Sequence, residues 1–230
     1  MNQELHKLEV RLGYRFRNAD LLAEAVTHRS ANSRNNERLE FLGDSVLNFI
    51  VADELYQRCP QETEGALSRL RASLVNRPSL AELARELQLG EHLRLGSGEL
   101  KSGGHRRESI LADALEAVLG AVYLDGGFEA CRSLIQRLYQ ERLGRLPAAS
   151  ELKDGKTRLQ EYLQGHRRPL RTYEVLSVTG KAHDQLFRVR CTVDGTDLST
   201  EGEGGSRRQA EQQAAEAMLA LLLGERGRQQ

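Results

Sequence analysis

Three acidic side chains recur at steps of three and four residues along one short stretch of the sequence. They are Glu37, Glu40 and Asp44, and such steps place side chains on one face of a helix. Carboxylates stacked in this way repel one another by roughly 0.2–0.5 kcal/mol per pair. A hard divalent cation such as Mg²⁺ or Mn²⁺ would offset that repulsion, because these ions prefer oxygen ligands.

A second pair of acids lies far downstream in a strongly apolar segment. Asp113 and Glu116 are three residues apart within residues 109–123, SILADALEAVLGAVY. A carboxylate buried among apolar side chains is costly unless it is paired or bound to metal. Two such helices would form an all-carboxylate metal site where they cross. The alternative is that each acid caps a helix or pairs with a nearby arginine, such as Arg38 or Arg106.

The elements that must position these acids are predicted to be helices. Apolar residues recur with a period near 3.6 through residues 1–143, which predicts an all-α first half. Asn18 is expected to cap one helix, and residues 125–127, DGG, are expected to end the second acidic helix before a last one. The glycine-rich residues 90–105 are interpreted as an exposed, mobile loop.

The pattern changes character after a short linker. Period-two alternation predicts three strands, at residues 173–178, 185–193 and 196–203, and helices are predicted on either side of them, at residues 158–165 and 206–223. This order, α-β-β-β-α, indicates a small α+β domain. The predicted boundaries are an all-α domain at 1–146, a linker at 147–153, the α+β domain at 154–224 and a disordered tail at 225–230.

Composition narrows the class of protein without identifying a partner. The chain has 230 residues, 29% of them charged, and a formal net charge of zero, which argues neither for nor against nucleic acid. Its cysteines, Cys59, Cys131 and Cys191, are odd in number and widely spaced, which argues against a disulfide framework or a zinc site. No apolar run approaches the ~20 residues that span a membrane, so a cytoplasmic protein is expected.

Two arginines stand where the last helix is predicted to begin. Arg207 and Arg208 would oppose the helix dipole there, which suggests an anionic partner. The helix could clamp phosphates across the major groove of duplex RNA, while Gln160, Glu161 and His183 reach 2′-hydroxyls in the flanking minor grooves. The alternative is that both arginines are ordinary solvated surface residues.

Four segments carry a family resemblance. Residues 36–47, NERLEFLGDSVL, and residues 109–123 resemble the signatures of ribonuclease III. Residues 156–164, KTRLQEYLQ, with His183 and residues 206–215, SRRQAEQQAA, resemble a double-stranded-RNA-binding domain. The resemblance covers essentially the whole chain, in the order of the bacterial enzyme. It implies a homodimeric, Mg²⁺-dependent endonuclease that leaves 5′-phosphates and short 3′ overhangs and processes ribosomal RNA precursors.

The resemblance also implies roles for individual residues. The family's metal-binding acids fall on Glu40, Asp44, Asp113 and Glu116, of which Asp44 and Glu116 are assigned as catalytic. Glu37 and Glu64 match further acids near the cleavage site, and Phe41 matches a residue that packs into the partner subunit. The implied RNA contacts are Gln160, Glu161, His183, Ser206, Arg207 and Arg208.

One position departs from the family pattern. The binding domain's usual motif is Lys-Lys-x-Ala-Lys, whereas residues 207–211 read RRQAE. Arginine can replace lysine at a phosphate, with planar geometry in place of a point charge. Glu211 removes an expected cation, which predicts that this domain alone binds RNA weakly and that the dimer supplies avidity.

The implied chemistry is hydrolysis of a phosphodiester bond without a covalent intermediate or a small-molecule cofactor. Mg²⁺ can acidify water and neutralise charge on phosphoryl oxygens. Two rival interpretations remain: a duplex-RNA-binding regulator without catalysis, and a helical interaction module. The regulator predicts a broken set of acids, and the module leaves the acids and the appended domain unexplained. Mg²⁺-dependent degradation of duplex RNA, with EDTA as the control, distinguishes them.

Overall fold

The structure, a computed structural model, describes residues 2–148, 152–181 and 184–226. These residues form two compact units, with the division between Leu152 and Lys153. His183 and residues 227–230, the end of the tail predicted to be disordered, lie outside the described residues. No helix in the described part of the chain has the length and hydropathy needed to cross a membrane.

The first unit is helical, as predicted. Its described residues contain α1 (Asn2–Leu12), α2 (Ala19–Ala25), α3 (Glu37–Arg58), α4 (Glu64–Leu74), α5 (Arg77–Glu86), α6 (Ser97–Lys101) and α7 (Glu108–Gly144). The predicted cap is present: the Asn18 side chain accepts a hydrogen bond from the Asp20 backbone N–H at 3.1 Å. The predicted break is present too, because Gly127 interrupts α7 with φ 79° and ψ −176°, a conformation that favours glycine.

Helices α3 and α7 cross with their backbones in close contact. A Cβ atom at Gly43 of α3 would lie 1.7 Å from the carbonyl oxygen of Glu116, and one at Gly120 of α7 would lie 2.3 Å from that of Leu39. Both distances are far below van der Waals contact, so only glycine fits at either position. The crossing therefore lies beside the acids of both helices.

The segment at residues 90–105 differs from its predicted form as an exposed loop. It contains α6 and two 3₁₀ turns, Leu89–His92 and Gly104–Arg106. His92 and Gly104 are buried. Glycine-rich composition alone misled the prediction, because Gly90 and Gly104 lie where a Cβ would meet neighbouring backbone, at 2.3 Å and 2.8 Å. These glycines permit close packing of the segment.

The second unit has the predicted α-β-β-β-α order. Its elements are α8 (Gly155–Gly165), β1 (Arg171–Lys181), β2 (Asp184–Val193), β3 (Ser199–Gly204) and α9 (Arg207–Arg226). The sheet is antiparallel in the order β1-β2-β3. Both helices and β2 contribute to one apolar core. This core includes Leu159 of α8, Cys191 of β2 and Met218 of α9. Strand β3 begins three residues later than predicted, because Thr196 closes a turn onto the carbonyl of Val193.

Candidate active site

Three of the predicted acids meet at the crossing of α3 and α7. Glu40 comes from α3, and Asp113 and Glu116 come from α7. Each offers a carboxylate oxygen, and these oxygens all lie within 4.8 Å of one another. All three side chains are half-buried. We call this group the carboxylate trio.

The carboxylate trio is electrostatically strained. Burial, followed by repulsion from Asp44, Glu40 and Asp113, raises the pKa of Glu116 to about 8. Burial is also the main cause that raises the pKa of Glu40, with repulsion from Asp113 second. Burial raises the pKa of Asp113, although Arg77 opposes it. Such raised pKa values indicate a site that favours protons or a cation.

Asp44 does not join the carboxylate trio. Its side chain is exposed on α3, and its Oδ1 accepts a hydrogen bond from Asn48 Nδ2 at 2.7 Å. It nevertheless remains close enough to be the largest charged contributor to the raised pKa of Glu116. Asp44 therefore affects the carboxylate trio through electrostatic repulsion.

Two members of the carboxylate trio, Glu40 and Asp113, line a cleft of about 480 Å³ that carries charges of both signs. Glu37 lies at this cleft, where its Oε1 is 3.4 Å from Nη1 of Arg29. Arg107 also lines the cleft and donates to Glu99 at 2.8 Å. The sequence did not lead us to expect either arginine, although each lies close in sequence to an acidic helix. The cleft is lined by His28, Arg29, Ser30, Asn36, Glu37, Glu40, Glu99, Arg107, Ser109, Ile110 and Asp113.

Glu64 lies apart from this cleft in the described structure. It is exposed in the first turn of α4, and its Oε1 accepts a hydrogen bond from Ser68 Oγ at 2.7 Å. It is absent from the residues that line the cleft. Glu64 is also not among the described acids whose oxygens meet in the carboxylate trio.

Phe41 is exposed on α3 beside an apolar cleft. Its side chain is 78% exposed, although burying a phenylalanine contributes about 1.5–3 kcal/mol. The cleft next to it has a volume of about 620 Å³ and is lined in part by Leu21, Leu42 and Leu124. An exposed aromatic ring next to an apolar cleft is typical of an interaction surface.

The predicted RNA contacts of the second unit lie on α8 and at the start of α9. Arg207 and Arg208 are exposed in the first turn of α9, and Ser206 Oγ accepts a hydrogen bond from the Gln209 backbone N–H at 3.3 Å. On α8, Gln160 and Glu161 are both exposed. Each helix therefore presents its predicted set to solvent, whereas His183 is outside the described residues.

Comparison with known families matches both units. The family model for Ribonuclease-III-like proteins matches residues 18–143, and the model for the Double-stranded RNA binding motif matches residues 156–222. Among solved structures, the nuclease domain of ribonuclease III from Campylobacter jejuni is 44% identical, with a TM-score of 0.59, and the match covers 60% of this chain and 98% of that one.

Two relatives that match along nearly the whole chain are both named Ribonuclease 3. Ribonuclease 3 of Alkalilimnicola ehrlichii is 63% identical over 215 residues, which are 94% of this chain and 94% of the relative. Ribonuclease 3 of Nitrosococcus oceani is 61% identical over 227 residues, which are 98% of this chain and 97% of the relative. The chain therefore belongs to the ribonuclease III family of endonucleases that cut double-stranded RNA.

Proposed function

We propose that the carboxylate trio holds Mg²⁺, with Mn²⁺ as a substitute, and that this cation supports cleavage of duplex RNA. The observation that carries the proposal is the meeting of three half-buried carboxylates from two helices, with oxygens within 4.8 Å of one another. An all-oxygen donor set suits these hard cations. The raised pKa values of Glu40, Asp113 and Glu116 support the proposal, because a cation would offset their repulsion.

The acidic side chains have different roles in the proposed reaction. When bound, Mg²⁺ supplies Lewis-acid activation of water and of the phosphoryl group. Glu40, Asp113 and Glu116 hold the cation. Asp44 and Glu116 are the catalytic acids in this proposal, and they accept hydrogen bonds from the attacking water and so orient it. Glu37 lines the same cleft. Glu64 does not line it, and we propose it as a further acid near the bond that is cut.

The active form in this proposal is a homodimer. Phe41 and its apolar cleft supply a self-complementary surface, as a two-fold interface requires. In the ribonuclease III nuclease domain of Campylobacter jejuni, a structurally flexible region is involved in dimer formation. Two copies of the carboxylate trio would face opposite strands of one duplex, which accounts for one cut in each strand. The 5′-phosphates and short 3′ overhangs are proposed from the family resemblance.

The second unit binds the duplex in this proposal. Arg207 and Arg208, with Ser206, contact phosphates, while Gln160 and Glu161, together with His183, reach the minor grooves. The substrates are structured transcripts, ribosomal RNA precursors among them, and the compartment is the cytoplasm.

One experiment tests the metal and the cut together. A defined RNA hairpin is incubated with the full chain in Mg²⁺, in Ca²⁺ and in EDTA, and a gel shift of the same RNA measures binding. We expect two staggered cuts in Mg²⁺ alone and retained binding in Ca²⁺. Mapping of both cut ends checks the overhang. Binding without cleavage under every metal would refute the proposal and favour the RNA-binding regulator.

A further inference from the structure

Glu211 occupies the position at which the usual motif of the binding domain has lysine, and its side chain is enclosed by two cations. It lies on α9 one turn after Arg207, and its side chain is only 11% exposed. The carboxylate accepts hydrogen bonds from Lys156 Nζ at 2.7 Å and from Arg207 Nε at 2.9 Å. Burial raises the pKa of the Glu211 carboxyl group, but the hydrogen bonds and the positive charges of Lys156 and Arg207 together outweigh burial and lower it. Glu211 is therefore a buried anion with two cationic partners.

Lys156 makes this ion pair a link between two helices. Lys156 lies in the first turn of α8, whereas Glu211 and Arg207 lie on α9. The Lys156 ammonium also lies 4.7 Å from the centroid of the Tyr173 ring on β1, within the range of a cation–π contact. Lys156 is thus held from two sides.

The contacts continue from Tyr173 to one of the predicted RNA contacts. Arg171 donates from Nε to the Tyr173 hydroxyl at 3.2 Å. The same guanidinium donates from Nη2 to Oε1 of Gln160 at 3.0 Å. A continuous chain of polar contacts therefore joins Arg207, in the first turn of α9, to Gln160 on α8.

We propose that Glu211 is a positioning residue for duplex RNA, and that it holds Arg207 and Gln160 at the separation that lets both contact one duplex. The inference rests on the RNA contacts proposed for α8 and α9. It reverses the expectation from charge alone, because a carboxylate beside a phosphate-binding surface should repel RNA. A preorganised pair of contacts binds more tightly than the same groups left free to move.

The direction in which one substitution changes RNA affinity distinguishes positioning from charge repulsion. Glu211→Gln removes a charge that repels phosphate, so charge alone predicts tighter binding. Positioning predicts binding that is weaker by about tenfold, the loss expected for a hydrogen bond between charged groups. Glu216→Gln is the matched control, because Glu216 is exposed on the same helix and the change removes the same charge. We expect it to alter affinity by less than about twofold.

The assay is fluorescence anisotropy of a labelled RNA duplex with the full chain in Ca²⁺. Glu211→Gln binding as tightly as the wild type, or more tightly, would overturn the inference. Arg208→Gln reports on the underlying RNA surface, because Arg208 is exposed at the same helix start. If Arg208→Gln leaves affinity unchanged, the proposed RNA surface is wrong. If it weakens binding while Glu211→Gln does not, the positioning role alone is wrong.

A second pair of variants keeps the inference testable if Glu211→Gln unfolds the second unit. Replacing a buried ion pair with apolar residues is often neutral for stability, so Lys156→Met/Glu211→Met is compared with Lys156→Met. Positioning predicts that the double variant binds no more tightly than the single one, and charge repulsion predicts that it binds more tightly. In cleavage kinetics, we expect these changes to raise KM and to leave kcat near the wild-type value, since the carboxylate trio is untouched.

Discussion

Replacing Glu116 with glutamine should stabilise the metal-free protein at alkaline pH and abolish its response to metal. In the folded protein, the pKa of Glu116 is raised from 4.5 to about 8, first by burial and then by Asp44, Glu40 and Asp113. The folded state therefore keeps a proton that the unfolded chain has released. Folding stability contributed by this group falls as the pH rises from about 4.5 to about 8 and is constant above that range. Glutamine has no proton to release in this pH range, so Glu116→Gln does not lose this stability.

The size of the effect follows from that rise in pKa. A rise from 4.5 to about 8 is equivalent to about 5 kcal/mol if it is fully expressed. Glu116 is only half-buried, so solvent screening reduces the expected gain at pH 8 to about 2 kcal/mol. For a unit of this size, that gain raises the melting temperature by about 4–8 °C. The difference between Glu116→Gln and wild type should shrink towards zero near pH 5.

Mg²⁺ should stabilise the wild type and leave the stability of Glu116→Gln nearly unchanged. A ligand at ten times its Kd stabilises the folded state by about 1.4 kcal/mol, and at pH 6 the proton on Glu116 competes with the cation. We therefore expect Mg²⁺ to raise the melting temperature of the wild type more at pH 8 than at pH 6. Glu116→Gln should show little response at either pH, and it should bind duplex RNA without cutting it.

The assay is thermal unfolding of the first unit at pH 5, 6 and 8, in EDTA and in a series of Mg²⁺ concentrations. Glu129→Gln is the control, because Glu129 is exposed on the same helix and the change removes the same charge. Equal melting temperatures for wild type and Glu116→Gln at pH 8 in EDTA would refute the electrostatic argument. Normal turnover by a folded Glu116→Gln protein in moderate Mg²⁺ would refute the metal site.

Two further predictions concern residues of α3. Gly43→Ala should lower stability by about 3 kcal/mol or more and abolish cleavage, because the new methyl group would lie 1.7 Å from the Glu116 carbonyl oxygen. Thermal unfolding and hairpin cleavage measure these two effects. Gly98→Ala is the control: the Cβ position of Gly98 has open space around it, so this variant should be close to wild type in both assays. Phe41→Asp should give a folded monomer in sedimentation analysis that no longer makes paired cuts, because a carboxylate would be desolvated at an apolar interface; an unchanged dimer would contradict the role assigned to Phe41.

Periodicity predicted the helices and strands well because it reports which face of each element is buried. It could not predict that Asp44 would lie outside the carboxylate trio. Glu40 and Asp44 share a helix face, but Asp44 lies one turn further along, and its side chain is held by Asn48. The choice between that hydrogen bond and a place in the trio depends on side-chain rotamers, which spacing does not encode.

The contacts of Glu211 are a second feature that the sequence pattern did not predict. In the motif at residues 207–211, charge alone makes the acid at position 211 a missing cation. Glu211 instead accepts a hydrogen bond from Lys156, a residue 55 positions earlier in the chain. A pairing across that separation follows from the packing of α8 against α9, which the spacing of residues along the sequence does not encode.

The two glycines at the crossing of α3 and α7 explain why the fold and the carboxylate trio cannot vary independently. Gly43 lies between Glu40 and Asp44 on α3, and its Cα faces the carbonyl of Glu116; Gly120 lies one turn after Glu116. Any side chain at either glycine would separate the two backbones and, with them, the carboxylates that each helix contributes. The close approach that only glycine permits therefore sets the spacing of the proposed metal ligands, and a substitution that changes none of the carboxylates can remove the site.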